Sequence, residues 1–402
     1  MKKIYYGKAV YNFKEINAVS NVLKNQPLSL MDGENVKNLE KKVASLFGKK
    51  YGLMVNSGSS ANLLGLASLN LKKNSEIITP TLTFSTTVAP IYQLGFKPFF
   101  IDVAANKFVA NIDQIKKAIN KNTKAIIIPN LLGNIPEWDK IYKLAKRYNL
   151  ITIEDSADTI GYKINGKIIG KYSDIVTTSF YASHIVTGAG FGGMVCFNNE
   201  NEYQRAKLLR GWGRSSANFA ESEKIKDRFN VKIDGIKYDG KYIFLDMGYN
   251  FLPSEISAAF ALEQIKKLTS NISIRIKNFL KLKNIFSKHK DFFILPEQDP
   301  MIKTAWLAFP LIIKKNIFFH RTDMQIFFEK NNIQTRTIFT GNILRQPVMK
   351  KRIFKKVKNC SIESDKVMER GILLGCHHDM GSFEISSIEK CLKKFLKFYK
   401  AI

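Results

Sequence analysis

Three short stretches carry residue types that could do chemistry together. NSGSSAN, residues 56–62, is a Ser/Gly turn running into a helical pattern. Its free backbone N–H groups, the helix dipole and the serine hydroxyls suit an anion, although an ordinary serine N-cap has the same composition. IEDSADTIG, residues 153–161, places Asp155 just past an apolar run of strand type. Open α/β sheets bind ligands at the carboxyl ends of their strands. A carboxylate there can pair with a protonated ring nitrogen and keep a heteroaromatic ring electron-poor; a helix N-cap served by Asp155 or Ser156 is the plainer alternative. Asp158, three residues on, shares that side if a helical turn forms. The third stretch, SFYASHIVTGAGFGG at 179–193, holds His184 among Ser, Thr and Gly. An imidazole accepts and returns protons near neutral pH, but unlike an amine it cannot form a Schiff base. A structural, hydrogen-bonded histidine fits the same pattern. His377 and His378 in GCHHDMG, and His289 and His320 on basic segments, read as structural.

The elements around these stretches give their frame. Residues 13–24 and 33–47 have apolar positions three and four apart and read as helices. YGLMV, SEIITP, KPFFIDV, TKAIIIPN, LITIEDS, DIVTTSFY and GGMVCFN read as strands, with TTVAPIYQLG and the amphipathic WDKIYKLAKRYN as helices between them. Strands alternating with helices predict a mostly parallel sheet covered on both faces. The pattern loosens from about 213 to 246, read as a long excursion with a hairpin, and SEISAAFALEQIKKL returns as a helix capped by Ser254. A long basic helix, the strand AWLAFPLIIKK, the helix RTDMQIFFEKNN and a C-terminal helix follow. The chain therefore divides into a large α/β domain, residues 1–267, and a smaller α+β domain, residues 268–402.

With 402 residues, 45% hydrophobic, the chain can bury a large core. No run of about 18 apolar residues occurs, so no membrane span is expected, and the charged N-terminus MKKIYYGKAVYNFKE argues for a cytoplasmic protein. Cys196, Cys360, Cys376 and Cys391 are far apart with no CxxC pair, which argues against a cysteine-built metal or redox site. The net charge of +29 raises the question of nucleic acid. Its lysines are scattered rather than gathered in an arginine-rich block with aromatics, so no nucleic-acid partner is expected; the excess also attracts a doubly charged anionic substrate.

The Ser/Gly turn, the strand-end Asp and the SF…H…GGM stretch occur in one order. Together with EIITPTLTFSTTVAPIYQLGFKPFFIDV, MGYNFLPSEISAAFALEQI and TRTIFTGNILRQP, they make the chain resemble, nearly end to end, the DegT/DnrJ/EryC1/StrS family. These are fold-type I pyridoxal phosphate enzymes acting mostly on nucleotide-linked keto sugars. The resemblance implies a mostly parallel seven-stranded sheet, a small C-terminal domain and a homodimer with shared active sites. It implies that Gly58, Ser59, Ser60 and Ser179 hold the cofactor phosphate and that Phe84 stacks on its ring. Asp155 would pair with the ring nitrogen, Asp158 would face the ring, and Asn250 would reach the partner's phosphate. Arg336 and Arg345 are candidates for the substrate's diphosphate or sugar, since arginine matches phosphate geometry, or else for structural ion pairs; Trp212 and Arg214 would shape the pocket.

Five residues after Ser179, where most members carry the cofactor-bonding lysine, this chain has His184. Two branches share that histidine: GDP-4-keto-6-deoxymannose 3-dehydratase and CDP-4-keto-6-deoxyglucose 3-dehydrase. NSGSSANLL, SFYASH, GGMV and LLGN look closer to the second. The resemblance thus implies dehydration at carbon 3 of a nucleotide-linked 4-keto-6-deoxy sugar, with pyridoxamine phosphate held non-covalently, His184 as base, and glutamate restoring the amine. The CDP branch also carries an iron–sulfur cluster on cysteines whose places here hold Ala157 and Ser215, Ser216, Ala217 and Asn218. No cluster is expected, which undercuts an electron-transfer route through a separate reductase. The alternatives are a nucleotide-sugar aminotransferase using another lysine, although Lys163, Lys167 and Lys171 all lie before the DIVTTSF strand and should be too distant, and a non-enzymatic cofactor-binding or nucleic-acid-binding protein.

Overall fold

The computed structural model describes residues 2–25, 30–164, 166–168, 170–218 and 224–399. Seven strands between 51 and 197 form one sheet, in the spatial order Tyr51–Val55, Gly193–Phe197, Ile175–Ser179, Ile151–Asp155, Thr123–Pro129, Glu76–Pro80, Lys97–Ile101. A two-residue eighth strand, Lys355–Lys356, comes from the C-terminal third and pairs in parallel with Lys97–Ile101. Only Gly193–Phe197 runs against its neighbours. The strands Glu76–Pro80, Ile151–Asp155, Ile175–Ser179 and Gly193–Phe197 are buried at every position, apart from the half-buried Ile151. That is why they read as continuous apolar runs rather than alternating ones.

The helices sort by their apolar faces. Trp138–Arg147 buries Trp138, Ile141 and Ala145 and leaves its lysines in water. Gly58–Ala67 is different: apolar nearly throughout, it lies against Ile175–Ser179 and Gly193–Phe197, and Asn62 is buried inside it. A second core gathers around an antiparallel sheet of Phe293–Ile294, Ala308–Ile313, Gly371–Gly375 and Thr335–Arg336, covered by Arg321–Lys330 and Ser382–Phe398. Ile4 from the N-terminus joins this core, donating to the Asn332 carbonyl (2.8 Å) and accepting from Gln334 (2.9 Å).

The loosened segment at 213–246 does contain a hairpin, Val231–Ile233 with Ile236–Tyr238, preceded by a short helix Ile225–Phe229; its residues 219–223 lie outside the described ones. The strand foreseen in AWLAFPLIIKK begins only at Ala308. Among the elements that went unread are the helices Ile112–Ala118, Glu200–Arg210 and Ile362–Arg370 and the buried strand Gly371–Gly375.

Candidate active site

All the residues singled out in the first three stretches lie at one end of the large sheet. Tyr51–Val55, Glu76–Pro80, Thr123–Pro129, Ile151–Asp155 and Ile175–Ser179 point the same way, so the loops after them share a rim.

On that rim Ser57 caps the helix Gly58–Ala67, its Oγ accepting from the Ser60 N–H (3.1 Å). Gly58 sits against the end of the Ile175–Ser179 strand: a Cβ there would lie 2.5 Å from Ser179 Cβ and 2.9 Å from Ser179 Oγ. The bare glycine lets the helix N-terminus and the Ser179 hydroxyl converge, which builds an anion cradle from two elements. Gly192 returns the loop in a conformation suited to glycine (φ 113°), and its N–H donates to the Asn56 carbonyl (2.9 Å).

Asp155 ends its strand 5% exposed. Its Oδ2 accepts from Asn62 Nδ2 and Thr87 Oγ1, both at 2.8 Å, while Oδ1 accepts only from the Ala157 N–H at 3.2 Å. Asn62 is itself held by the Thr177 hydroxyl (2.5 Å). Burial pushes the Asp155 carboxyl above its usual range, against the lowering effect of Thr87 and Asn62. No described cation balances it. A carboxylate so buried and so held is suited to a cationic ring N–H. Phe84, at the start of the helix Ser85–Gln93, is 50% exposed and meets Phe339 edge-on at 6.1 Å. It is an apolar face left open beside a polar rim.

His184 lies in the loop between Ser179 and Gly193. Phe180 N–H donates to the Gly192 carbonyl and Gly188 N–H to the Phe180 carbonyl, both at 2.9 Å, and Ile185 and Val186 are buried beneath. The loop is therefore pinned, and the His184 side chain is 15% exposed. Its Nδ1 lies 3.3 Å from the Ser179 carbonyl and its Nε2 4.0 Å from Asp158 Oδ1. A carbonyl only accepts, so Nδ1 carries the hydrogen and Nε2 keeps the lone pair. Burial, with Arg275 adding to it, lowers the imidazole to about 4 against the raising effect of Ser179, which makes it a neutral base at neutral pH. Asp158 accepts from the Leu132 N–H (2.8 Å) and is raised by burial to about 7.

The remaining candidates are dispersed. Arg336 is exposed, donates to the Thr335 carbonyl (2.7 Å) and lies 5.9 Å from the Tyr6 ring, beside a long 4.0 Å pair with Glu329. Arg345 is held two-pronged by Asp365 (2.5 and 2.6 Å), the structural ion pair foreseen as its alternative. Arg214 lies against Trp212, Tyr242 and Phe244, with ring centroids at 4.4, 5.4 and 5.7 Å. Asn250 is exposed and bridged to Gly211. The four cysteines are buried and unpaired in separate places. His377 Nε2 donates to the Tyr5 carbonyl (3.2 Å) and His378 Nδ1 accepts from Arg275 Nε (3.2 Å), in keeping with structural roles.

Sequence reasoning missed Asn62, Thr87 and Leu132. Asn62 had a signal, being the one amide in the apolar run ANLLGLA; Thr87, inside STTVAP, had none. Among the described residues, no lysine stands in for His184 on the rim. Lys163 is exposed on a two-residue strand paired with Lys303, and Lys171 lies over Tyr172. The buried Lys49, lowered to about 8 by burial, donates to the Ser173 and Asp174 carbonyls, at the opposite end of the Ile175–Ser179 strand. That strand separates it from the rim by roughly 16 Å.

Comparison with known proteins agrees with this geometry. The profile of the DegT/DnrJ/EryC1/StrS aminotransferase family matches residues 11–393. The chain is 34% identical to GDP-4-keto-6-deoxy-D-mannose 3-dehydratase of Escherichia coli O55:H7, over 94% of this chain and 96% of that one. It is 32% identical to dTDP-4-dehydro-2,6-dideoxy-D-glucose 3-dehydratase of Saccharopolyspora spinosa, over 91% of this chain and 82% of that one. A crystal structure of GDP-4-keto-6-deoxymannose 3-dehydratase with a trapped PLP–glutamate geminal diamine superposes with a TM-score of 0.86 at 30% identity, covering 97% of this chain and all of that one. The chain belongs to the DegT/DnrJ/EryC1/StrS family.

Proposed function

We propose that this protein is a pyridoxal/pyridoxamine phosphate-dependent 3-dehydratase of a nucleotide-linked 4-keto-6-deoxy sugar. The observation that carries the reading is His184: an imidazole with its lone pair on Nε2, at the place of the family's lysine, with no amine beside it among the described residues.

The cofactor fits the residues present. The Gly58–Ser60 turn with Ser179 would take its phosphate, Asp155 its protonated ring nitrogen, and the exposed ring of Phe84 one face of its ring. Bound there, it supplies an amine for the sugar ketone and an electron sink for the elimination. The chain supplies the rest. Thr87 and Asn62 hold Asp155 ionised against its burial. His184 Nε2 takes a carbon-bound proton, and a proton goes to the departing C3 hydroxyl, which leaves as water. Without an amine at 184, the protein holds the cofactor only by non-covalent contacts.

The overall balance needs no reductase. The sugar loses its C3 oxygen, glutamate becomes 2-oxoglutarate, and one ammonia is released per turnover; glutamate provides the electron pair. Asn250, with the exposed apolar side chains Leu245 and Met247 (94% exposed) on the same excursion, supports a homodimer that shares its sites. The enzyme is assigned to the cytoplasm, making deoxysugars for surface polysaccharide.

The test is to supply GDP-, dTDP- and CDP-linked 4-keto-6-deoxy sugars with pyridoxal phosphate and glutamate, and to measure ammonia and 2-oxoglutarate. Equimolar release with one nucleotide series, and its loss in His184→Gln, is expected. A need for an added reductase, or a cofactor fixed to wild-type protein by borohydride, would overturn the reading in favour of cluster-type or lysine-type chemistry.

A further inference from the structure

Asp158 and His184 are each fixed at their far end and face each other at their near ends. Asp158 Oδ2 accepts from the Leu132 N–H at 2.8 Å, and His184 Nδ1 is set against the Ser179 carbonyl at 3.3 Å. Asp158 Oδ1 and His184 Nε2 then stand 4.0 Å apart, about 1 Å beyond a direct hydrogen bond. Neither atom has another protein partner among the described residues. With Nδ1 carrying its hydrogen, both facing atoms offer lone pairs, and a proton on either one makes the approach attractive.

The arrangement is maintained against a conformational cost. Leu132 delivers its N–H from the left-handed region (φ 61°, ψ 6°), which is unfavourable for a residue with a β-carbon. The turn is locked from both sides: Leu307 N–H donates to the Leu132 carbonyl (2.8 Å), and a Cβ on Gly133 would lie 3.0 Å from Trp306 Cα. Strain held in place by packing, with the strained N–H aimed at one carboxylate oxygen, marks Asp158 as more than a helix cap.

The surroundings leave the pair's charge to be settled between its two members. The titratable and charged groups facing it are Asp155, Tyr6 and Arg275. Asp155 repels a second carboxylate, and the half-buried Tyr6 phenol, raised by desolvation, is neutral. Arg275 is fully buried, donates to the Trp306 and Leu307 carbonyls (3.3 and 3.2 Å) and to His378, and disfavours an imidazolium. Among the described residues no cation pairs with Asp158, so an imidazolium at His184 is the positive charge placed to meet it.

We propose that Asp158 is a positioning residue that shares one proton with His184, so that the pair rather than the imidazole alone handles the protons of the elimination. The pair enters the step holding one proton and leaves it holding one. A proton arrives at Nε2 from carbon, and one departs with the C3 hydroxyl as water. Neutral His184 meets the carbon-bound proton with the shared proton on Asp158; the pair then holds two, and once one has left with the hydroxyl the remaining proton is shared between an imidazolium–carboxylate and an imidazole–carboxyl arrangement. Such a site titrates as a unit.

This deepens the reading of His184 as base and rests on it, but its test does not need turnover. In cofactor-free protein, the imidazole nitrogen signals of His184, assigned by their loss in His184→Gln, are followed against pH. Wild type is expected to shift in two steps, the upper near pH 7. Asp158→Asn, which keeps the shape and can still accept from Leu132, should lose the upper step, and Asp158→Glu should retain it. The kcat profile of Asp158→Asn should likewise lose its inflection near pH 7 while KM for the sugar stays within about twofold. Superimposable titration curves for wild type and Asp158→Asn overturn proton sharing and leave the dehydratase reading intact. Retained dehydration in His184→Gln overturns that reading itself.

Discussion

Thr87→Val is the sharpest probe of how the site holds its cofactor. The change is close to isosteric and removes one of the two donors to Asp155 Oδ2, leaving Asn62. A hydrogen bond to a charged group contributes about 1.5–3 kcal/mol, and 1.36 kcal/mol corresponds to one pH unit. Taking the lower figure, because Asn62 and the Ala157 N–H remain, the Asp155 carboxyl should rise further in the variant. Asp155 already sits above the usual carboxylate range, and pairing with a ring N–H requires it ionised. Below its titration, the cofactor must therefore displace a proton. There, pyridoxamine phosphate should bind the variant about tenfold more weakly than wild type. Above it, both proteins are ionised and the curves should converge. The assay is a fluorescence titration with pyridoxamine phosphate at a series of values between about pH 5 and pH 9. Taking the ratio of the two Kd values cancels the cofactor's own ionisations. A ratio that is constant with pH, or a Kd inflection that does not move, would refute the pairing of Asp155 with the ring nitrogen.

Gly58→Ala should weaken pyridoxal phosphate binding by about tenfold or more, because the new Cβ meets Ser179 Cβ at 2.5 Å and pushes the cradle apart; equilibrium dialysis reads it. The contribution of Asp158 to the stability of the cofactor-free protein should fall as pH rises. Asp158 is raised from 3.8 to about 7, so the folded state keeps a proton that the unfolded state has released, and stability present below about pH 4 falls until about pH 7. Those roughly three units correspond to at most ~4 kcal/mol, and Asp158→Asn should melt higher than wild type at pH 8 but not at pH 4. Arg336→Met should raise KM for the nucleotide sugar by about tenfold, whereas Arg345→Met should leave KM unchanged and lower Tm slightly, since Asp365 already occupies its fork.

What could be read from the sequence follows from how local the determining physics is. The strand-end Asp155, the Ser/Gly turn and the 179–193 loop were legible because each is a contiguous stretch whose composition reports its backbone. The partners of Asp155 were not. Asn62 and Thr87 come from two other elements, 93 and 68 residues away along the chain, and meet it only because the sheet brings their loops to one rim. The role of Leu132 was hidden for a different reason: LLGN gives no sign that a leucine adopts a positive φ, which Trp306 and Leu307 from the second core impose. Gly371–Gly375 went unread because GILLG is too short to separate a buried strand from a buried helix by period.

The same surroundings bear on why one residue at position 184 decides the reaction. Burial and Arg275 act against positive charge at that place whatever the side chain. A lysine there would feel the same pressure, lose its proton more readily than in water, and become a nucleophilic amine. The pocket therefore does not itself forbid a covalent hold on the cofactor. The identity of the side chain does, because an imidazole kept neutral by this pressure retains basicity at Nε2 and has no nitrogen that can form a lasting bond to the aldehyde carbon. The residues that tune the charge and those that hold the cofactor are thus compatible with either chemistry. On the proposed function, a single change of residue type on the pinned loop would separate elimination from amine transfer.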